Sequence, residues 1–134
     1  MAGTVTVDTI QSGLSTPTVF KNTSGTEIGQ LCRSWINYTP GASPTIKTSF
    51  NSSSITRGGT GFYTVTMTNA LSDANYSCTS CASSAPAGPV YCIVTVFSNL
   101  SAARVAPTTT TYNSSTWNAS TLYDCGDTMH MVIR

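Results

Sequence analysis

Charged side chains are scarce in this sequence: Lys, Arg, Asp and Glu together make up 8% of its 134 residues, whereas soluble domains usually contain about 25%. The net charge is +1, and the cationic residues form no cluster. Because nucleic-acid binding requires grouped Lys and Arg that neutralise phosphates, we expect no nucleic-acid partner. No apolar run approaches the roughly 20 residues of a membrane span, so we expect no membrane partner either.

Groups that could carry out acid–base or nucleophilic chemistry are also few. The single histidine, His130, lies in a strand-like segment, which favours a structural role. Asp124 and Asp127 flank a Cys-Gly turn and form the one conceivable carboxylate pair, of the kind that glycosidases use. The alternative is that each Asp bonds to the backbone of its own turn. We therefore expect no enzymatic activity and no cofactor.

The five cysteines leave three interpretations open. Cys78 and Cys81 form a CxxC motif that could bind zinc together with Cys92, Cys125 or His130, but a single such motif is weak evidence for a metal site. Free, partly buried thiols are favoured if the chain is made in a reducing compartment. The third interpretation is one disulfide between Cys92 and either Cys78 or Cys81.

The N-terminus, MAGTVTVDTI, has neither the basic region nor the apolar region of a secretory signal peptide. We therefore expect a protein made in a cytoplasm, with a mature chain that begins near Met1. Seven Asn-x-Ser/Thr triplets are present, but such triplets arise freely in a chain so rich in serine and threonine. We expect no glycosylation at them.

Alternation of apolar and polar residues runs through several short segments and is typical of half-buried β-strands. Residues 62–68, FYTVTMT, are one example, in which Tyr63, Val65 and Met67 are predicted to point inward and Thr64, Thr66 and Thr68 outward. In the C-terminal TMHMVIR, Met129, Met131 and Ile133 share the face opposite His130. Between the strand-like segments, TSCASSAPAGP reads as a loop, and the region from RVAPTTTTYNSS to the DCGD sequence as short β pieces with turns. RGGTG reads as a strand reversal whose glycines can take positive φ.

These segments predict roughly eight strands and no helix. The expected fold is all-β, a single antiparallel β-sandwich that is jelly-roll-like. We expect two parts: an N-terminal strand-bearing arm, residues 1–30, and a β-sandwich domain, residues 31–134. Within the arm, TVFKNTSGTEIG predicts a short hairpin that turns at NTSG.

Two further features predict contact surfaces. The segment VYCIVTVFSN is apolar on both faces, which indicates that both are covered; the candidate subunit-interface residues are Val90, Ile93, Val94, Val96 and Phe97. Aromatic residues also lie in a polar, loop-rich region, where they could contact a sugar or a protein. These candidates are Tyr112, Trp117 and Tyr123. They could equally fill the core or a subunit interface.

Several segments, quoted as they stand, resemble one family. GQLCRSWINYT, IKTSFNSSSITRGGTGFYTVTMTNALSDANYSC and MHMVIR resemble a module of tailed-bacteriophage virion proteins, found in fibre-like and head-decorating proteins, notably of cyanobacterial and marine phages. TVTVDTIQS also resembles the start of such proteins. The resemblance covers most of Gly29 to Tyr76. That family is defined by its β scaffold, so the resemblance transfers no catalytic residues.

The resemblance implies a decoration or cement protein on the outer surface of a virion, made in the host cytoplasm. Its expected partner is the major capsid protein, or a tail or fibre adaptor, and a homotrimer is expected. The arm would attach through Val5, Val7, Ile10 and Phe20. One alternative is a tail or head fibre domain that binds a host receptor, such as a glycan. A small hydrolase or a lectin-like secreted protein is the third hypothesis.

Overall fold

The structure, a computed structural model, describes Val7 and residues 20–29, 31–83, 92–97, 105–118 and 121–134. The chain divides into two compact units, Met1–Leu31 and Cys32–Arg134. The regular structure of the described residues is entirely β, with eleven strands in three antiparallel sheets. No helix in this part of the chain is long and apolar enough to cross a membrane.

The first unit contains a short hairpin. Strand β1 (Phe20–Lys21) pairs with β2 (Glu27–Gly29), and the NTSG sequence lies in the connection. The side-chain oxygen of Asn22 accepts hydrogen bonds from the backbone N–H groups of Ser24 and Thr26, as asparagine commonly does in turns. The predicted hairpin is therefore confirmed.

The second unit contains a four-stranded sheet. Its strands, in spatial order, are β4 (Thr45–Phe50), β3 (Cys32–Thr39), β11 (Thr128–Ile133) and β7 (Ser77–Ala82). Successive side chains of a strand point to opposite faces. On β3 and β11 the inward-pointing side chains are fully buried: Ser34, Ile36, Tyr38, Thr128, His130 and Val132. The other face, which we call the outer face, carries Trp35, Met129 and Met131.

The same unit contains a five-stranded sheet. Its strands are β5 (Ser54–Gly59), β6 (Phe62–Thr66), β8 (Cys92–Val96), β9 (Thr111–Asn118) and β10 (Thr121–Leu122). Strand β9 is central, because it pairs with β6, β8 and β10. Its sequence is mostly polar, yet Ser114, Ser115 and Thr116 are fully buried. The Thr116 hydroxyl donates a hydrogen bond to the Tyr123 carbonyl at 2.5 Å, which offsets the cost of burying it.

Buried side chains from both sheets form one core. Ile36, Tyr38 and Val132 come from the four-stranded sheet, and Tyr63 and Val65 from the five-stranded sheet. The second unit is therefore sandwich-like. The all-β prediction is confirmed, and so is the inward direction predicted for the apolar residues of FYTVTMT.

Three predictions about the elements are wrong. Eleven described strands replace the predicted eight or so, partly because Ser77–Ala82, most of it predicted as loop, is a full strand of a sheet. The polar segment Thr111–Asn118, predicted as short pieces, is one eight-residue central strand. Among the glycines of RGGTG, positive φ is confirmed for Gly61 (φ 65°) and wrong for Gly58 and Gly59.

Candidate functional site

Asp124 lies in the segment between β10 and β11 and is the centre of a hydrogen-bond network. Its Oδ1 accepts hydrogen bonds from the Tyr63 hydroxyl at 2.5 Å and from the Gly61 N–H at 2.6 Å. Its Oδ2 accepts one from the Arg57 guanidinium at 2.9 Å. Partial burial opposes ionisation of this carboxyl, but the three donors outweigh it and lower its pKa below the ordinary value. The carboxylate is thus ionised and paired, and both of its oxygens accept hydrogen bonds.

Asp127 lies in a different environment. Lys47 Nζ approaches its Oδ2 at 2.5 Å, and the Thr39 hydroxyl donates to its Oδ1 at 3.0 Å. The hydrogen bond from Lys47 is the main cause of the lowered pKa of Asp127. Each acid is therefore held in its own ion pair. A glycosidase requires that one carboxyl of a pair keep its proton near neutral pH, and a lowered pKa at both residues does not provide that acid.

His130 lies in the core. Its side chain is fully buried, and its ring centroid is 5.6 Å from each of the ring centroids of Tyr38 and Tyr112. Neither ring nitrogen has a hydrogen-bond partner among the described residues. Burial lowers the pKa of His130 to about 3, because the imidazolium would lose its hydration. His130 is therefore a neutral core residue that packs among aromatic rings.

The CxxC motif cannot act as one chelating unit. Cys78 and Cys81 lie on strand β7, and residues three apart on a strand point to opposite faces. Cys78 packs against the core, whereas Cys81 is exposed. No group of metal-binding His, Cys, Asp or Glu residues occurs among the described residues.

The disulfide prediction is also wrong for the CxxC motif. Cys78 and Cys81 are both free, as is Cys32, so neither is paired with Cys92. Cys125 is disulfide-bonded instead. Burial raises the pKa of the partly buried Cys78 thiol to about 12, which keeps it protonated and slow to react near neutral pH.

The aromatic residues predicted to contact a receptor do not share one environment. Tyr112 is only 1% exposed, and burial raises the pKa of its phenol. Its ring is therefore core and is not available to a receptor. Trp117 and Tyr123 are half-buried, and the Trp117 indole N–H donates to the Thr95 hydroxyl at 3.2 Å.

Strand β8 is not covered on both faces. Ile93 is 51% exposed, and Val94 and Val96 are half-buried. Phe97 packs on the core instead, with ring centroids 5.7 Å from Tyr76 and 6.4 Å from Tyr112. Of the residues predicted for the subunit interface, Ile93 is thus the one whose side chain is mostly exposed, while Val90 lies outside the described residues.

Within the predicted arm, Val5 and Ile10 lie outside the described residues. Val7 is 52% exposed and Phe20 is 43% exposed, and Ile28 on β2 is 66% exposed. The attachment role predicted for the arm stays a prediction.

The outer face of the four-stranded sheet carries apolar side chains that sequence reasoning did not assign to a site. Side chains of directly paired residues in antiparallel strands point to the same face. One row crosses all four strands through direct cross-strand pairs: Phe50, Trp35, Met131 and Thr79. The next row is Thr48, Asn37, Met129 and Cys81. Phe50 is 53% exposed, Met129 42% and Met131 37%.

A shallow pocket of about 100 Å³ lies at the β7 side of this face, lined by Thr79, Ser80, Cys81, Met129 and Met131. Charged pairs lie near the two ends of the face. Arg134 pairs with Asp73 beyond the end of β11, and Lys47 pairs with Asp127 near the start of β11. An apolar centre with polar ends has the composition of a protein contact surface.

Alternation in the sequence indicates that these apolar side chains share one face, but not that this face is exposed. TMHMVIR places three large apolar residues opposite one histidine, and the natural inference is that the apolar side is buried. The structure buries the His130 side instead and exposes Met129, Met131 and Ile133.

No protein-family model, curated protein or solved structure matches the chain.

Proposed function

We propose that this chain is a structural protein of a tailed-phage virion, an outer decoration or cement protein that binds the head and stabilises it. A jelly-roll-like sandwich is its scaffold. The observation that carries the proposal is the distribution of side chains in the described residues. Asp124 and Asp127 are held in ion pairs and the histidine is buried, while large apolar side chains lie on the surface. Exposed apolar patches mark contact with other proteins.

The proposed partner is the major capsid protein, and the proposed assembly is a homotrimer around strand β8. Ile93, which is 51% exposed, is the side chain that trimerisation would cover. Closed cyclic symmetry would cover it in every subunit and leave no unpaired copy of the surface.

The N-terminal arm, residues 1–30, is the proposed attachment segment. Phe20 is 43% exposed, so its full burial against a partner would gain about half of the roughly 1.5–3 kcal/mol that a fully exposed large apolar side chain gains. Each backbone hydrogen bond with a neighbouring strand would add only about 1 kcal/mol. Attachment would thus depend mainly on the apolar side chains of the arm.

The alternative is a fibre domain that binds a receptor such as a glycan. Trp117 and Tyr123 are half-buried and retain surface for such a contact. Burial of Tyr112 removes one of the three rings this alternative requires, so the decoration role is favoured.

The test is addition of the purified chain to expanded heads that lack decoration, followed by sedimentation and electron microscopy. We expect saturable binding and ordered density on the outside of the shell. The matched variant lacks residues 1–16 and should retain its circular dichroism and cooperative melting but fail to bind. Equal binding by the truncated variant would place attachment on the sandwich. Failure of the full chain to bind heads, together with glycan binding that Trp117→Ala abolishes, would favour the fibre alternative.

A further inference from the structure

We propose that the outer face of the four-stranded sheet packs against the same face of a second copy of this chain, about a two-fold axis parallel to the strands. This pairing is separate from the trimer proposed around β8 and does not depend on the virion function. It assigns a partner to the apolar face that the core does not use.

The side chains of one row of the outer face differ from one edge of the sheet to the other. Phe50 lies on β4, at one edge of the sheet, and is 53% exposed. Trp35 and Met131 follow it toward the other edge, and the row ends at Thr79 on β7. The pocket lined by Thr79, Cys81 and the two methionines lies at this end. A projecting aromatic ring and a pocket thus occupy opposite ends of the same row.

A two-fold axis parallel to the strands, passing between β3 and β11, matches these two ends. The operation places β4 of one copy over β7 of the other and leaves the position along the strands unchanged. Phe50 of each copy therefore meets the pocket of its partner, and Trp35 of each copy meets Met131 of its partner. The contact is isologous, so it joins two copies and leaves neither copy of this face unpaired.

The chemistry of the row fits this arrangement. Methionine side chains are flexible and fill irregular gaps, and their sulfur atoms make favourable contacts with aromatic rings. Two sheets that pack face to face lie about 10 Å apart, with their side chains interdigitated. In the proposed pair, the Met129 and Met131 side chains would adapt to the incoming Phe50 ring.

The ends of the face limit the contact to its centre. Arg134 and Asp73 form a pair near one end, and Lys47 and Asp127 form a pair near the other end. The Lys47 and Asp127 side chains are 48% and 46% exposed. Charges at the rim of an interface remain hydrated and contribute mainly to specificity. Between these charges, the row of Phe50, Trp35, Met131 and Thr79 and the adjacent Met129 would be desolvated.

The size of the face predicts a weak, reversible dimer. Four strands at about 4.8 Å spacing and six residues at about 3.3 Å each give a face of roughly 20 by 20 Å. Two such faces bury less than the roughly 1,200–2,000 Å² of a stable interface. We therefore expect dissociation within the micromolar-to-millimolar range, and stronger pairing where other contacts hold several copies together.

Sedimentation equilibrium over a wide concentration range tests the pairing. We expect the mass to double at high concentration, and Met131→Glu to weaken this association at least tenfold, because it places two carboxylates close to the axis. Ile93→Glu on β8 is the matched control and should leave the pairing intact. If Ile93→Glu removes a trimer while Met131→Glu removes only the further association, the two contacts are distinct.

Two outcomes of that experiment would contradict the proposal. One is a wild-type chain that shows no pairing through this face at any concentration. The other is association that Met131→Glu leaves unchanged while the variant retains wild-type circular dichroism. If Met131→Glu fails to fold, Phe50→Ser at the exposed edge replaces it, with the same expected loss. Wild-type chains that do not pair, combined with loss of head binding in Met131→Glu, would assign the face to a capsid partner and overturn self-association.

Cross-linking tests the direction of the axis. In the proposed pair, position 50 of one copy lies beside the pocket of its partner. Phe50→Cys should therefore form an intermolecular cross-link with the exposed Cys81 when a short bis-maleimide is added. Phe50→Cys combined with Cys81→Ser should not cross-link. Efficient cross-linking of that double variant through position 50 alone would mean that the axis runs across the strands, and the proposed geometry would be wrong.

Discussion

The Tyr63 hydroxyl donates a hydrogen bond to Asp124 Oδ1 across 2.5 Å, and this contact joins β6 to the segment between β10 and β11. The same tyrosine oxygen accepts a hydrogen bond from the Gly41 N–H at 2.9 Å. Through Tyr63, the carboxylate is thus connected to the turn between β3 and β4. Asp124 is remote in sequence from Tyr63 and Gly41. These hydrogen bonds therefore connect a loop of the five-stranded sheet to a turn of the four-stranded sheet.

Asp124→Asn should lower the free energy of unfolding by about 1–3 kcal/mol, because hydrogen bonds to a charged group are the strong ones and the amide keeps the shape but not the charge. The side chains of Asp124 and Arg57 are each 25% exposed, and solvent screening limits the loss. Urea denaturation measures it. Asp127→Asn, in an exposed pair, is the control and should change stability little. Equal losses in both variants would contradict the role assigned to Asp124.

Acid should destabilise the protein through His130. Its pKa is about 3 in the folded chain and about 6.5 when unfolded, so the unfolded state binds the extra proton between these values. The stability contributed by neutral His130 is complete above pH 6.5 and falls as the pH decreases, by about 1.4 kcal/mol for each pH unit. Below about pH 4, protonation of Asp124, whose pKa is lowered, should add to the loss.

His130→Phe isolates this effect. The phenyl ring should pack between Tyr38 and Tyr112 without a titrating group. Chemical denaturation at several pH values should show a flat stability between pH 6.5 and 4.5 for the variant and a decline for the wild-type chain. A variant that declines as steeply as the wild type would show that another group is responsible.

Gly61→Ala should destabilise the second unit strongly. Gly61 has φ 65°, and an added Cβ would lie 2.5 Å from the Thr116 carbonyl oxygen and 2.6 Å from the Tyr123 nitrogen. Both are backbone atoms of paired segments and cannot move aside cheaply. We expect a loss above the roughly 1–2 kcal/mol that left-handed backbone alone costs a non-glycine residue.

Gly41→Ala separates strain from steric overlap. Gly41 also has positive φ, 146°, but an added Cβ there would have no atom within 4 Å. Thermal melting should therefore show a smaller loss for Gly41→Ala than for Gly61→Ala. A larger loss at position 41 would contradict the importance of the contacts around Gly61.

Thiol chemistry should distinguish the cysteines. Cys81 is exposed and free, so iodoacetamide should label it first in the native protein, and Cys81→Ser should remove the fast phase. Cys78, whose pKa is raised to about 12 by burial, should react only on unfolding. Cys125 is disulfide-bonded and should react only after reduction. Mass spectrometry of labelled peptides identifies each site, and fast labelling of Cys78 would contradict its burial.

Much of the fold could be predicted from the sequence because period-two alternation directly reflects the geometry of a strand. The inward direction of Tyr63, Val65 and Met67 followed from it and is confirmed. The turn at NTSG followed from the chemistry of asparagine and glycine in tight turns. Strand β9 could not be predicted in this way, because the burial of Ser114, Ser115 and Thr116 depends on hydrogen-bond partners from distant segments.

The candidate surfaces also depend partly on the sequence alone and partly on the tertiary structure. Composition by itself established that the chain is poor in charge and that its residue types suit sheets, since both are properties of single residues and their neighbours. Which side of a strand is buried was decided by tertiary structure: the sandwich covers His130 and leaves Met129 and Met131 outside. Alternation defines two faces of a strand but not which one meets the other sheet. That choice depends on the pairing of β11 between β3 and β7, which lie far apart from it in sequence.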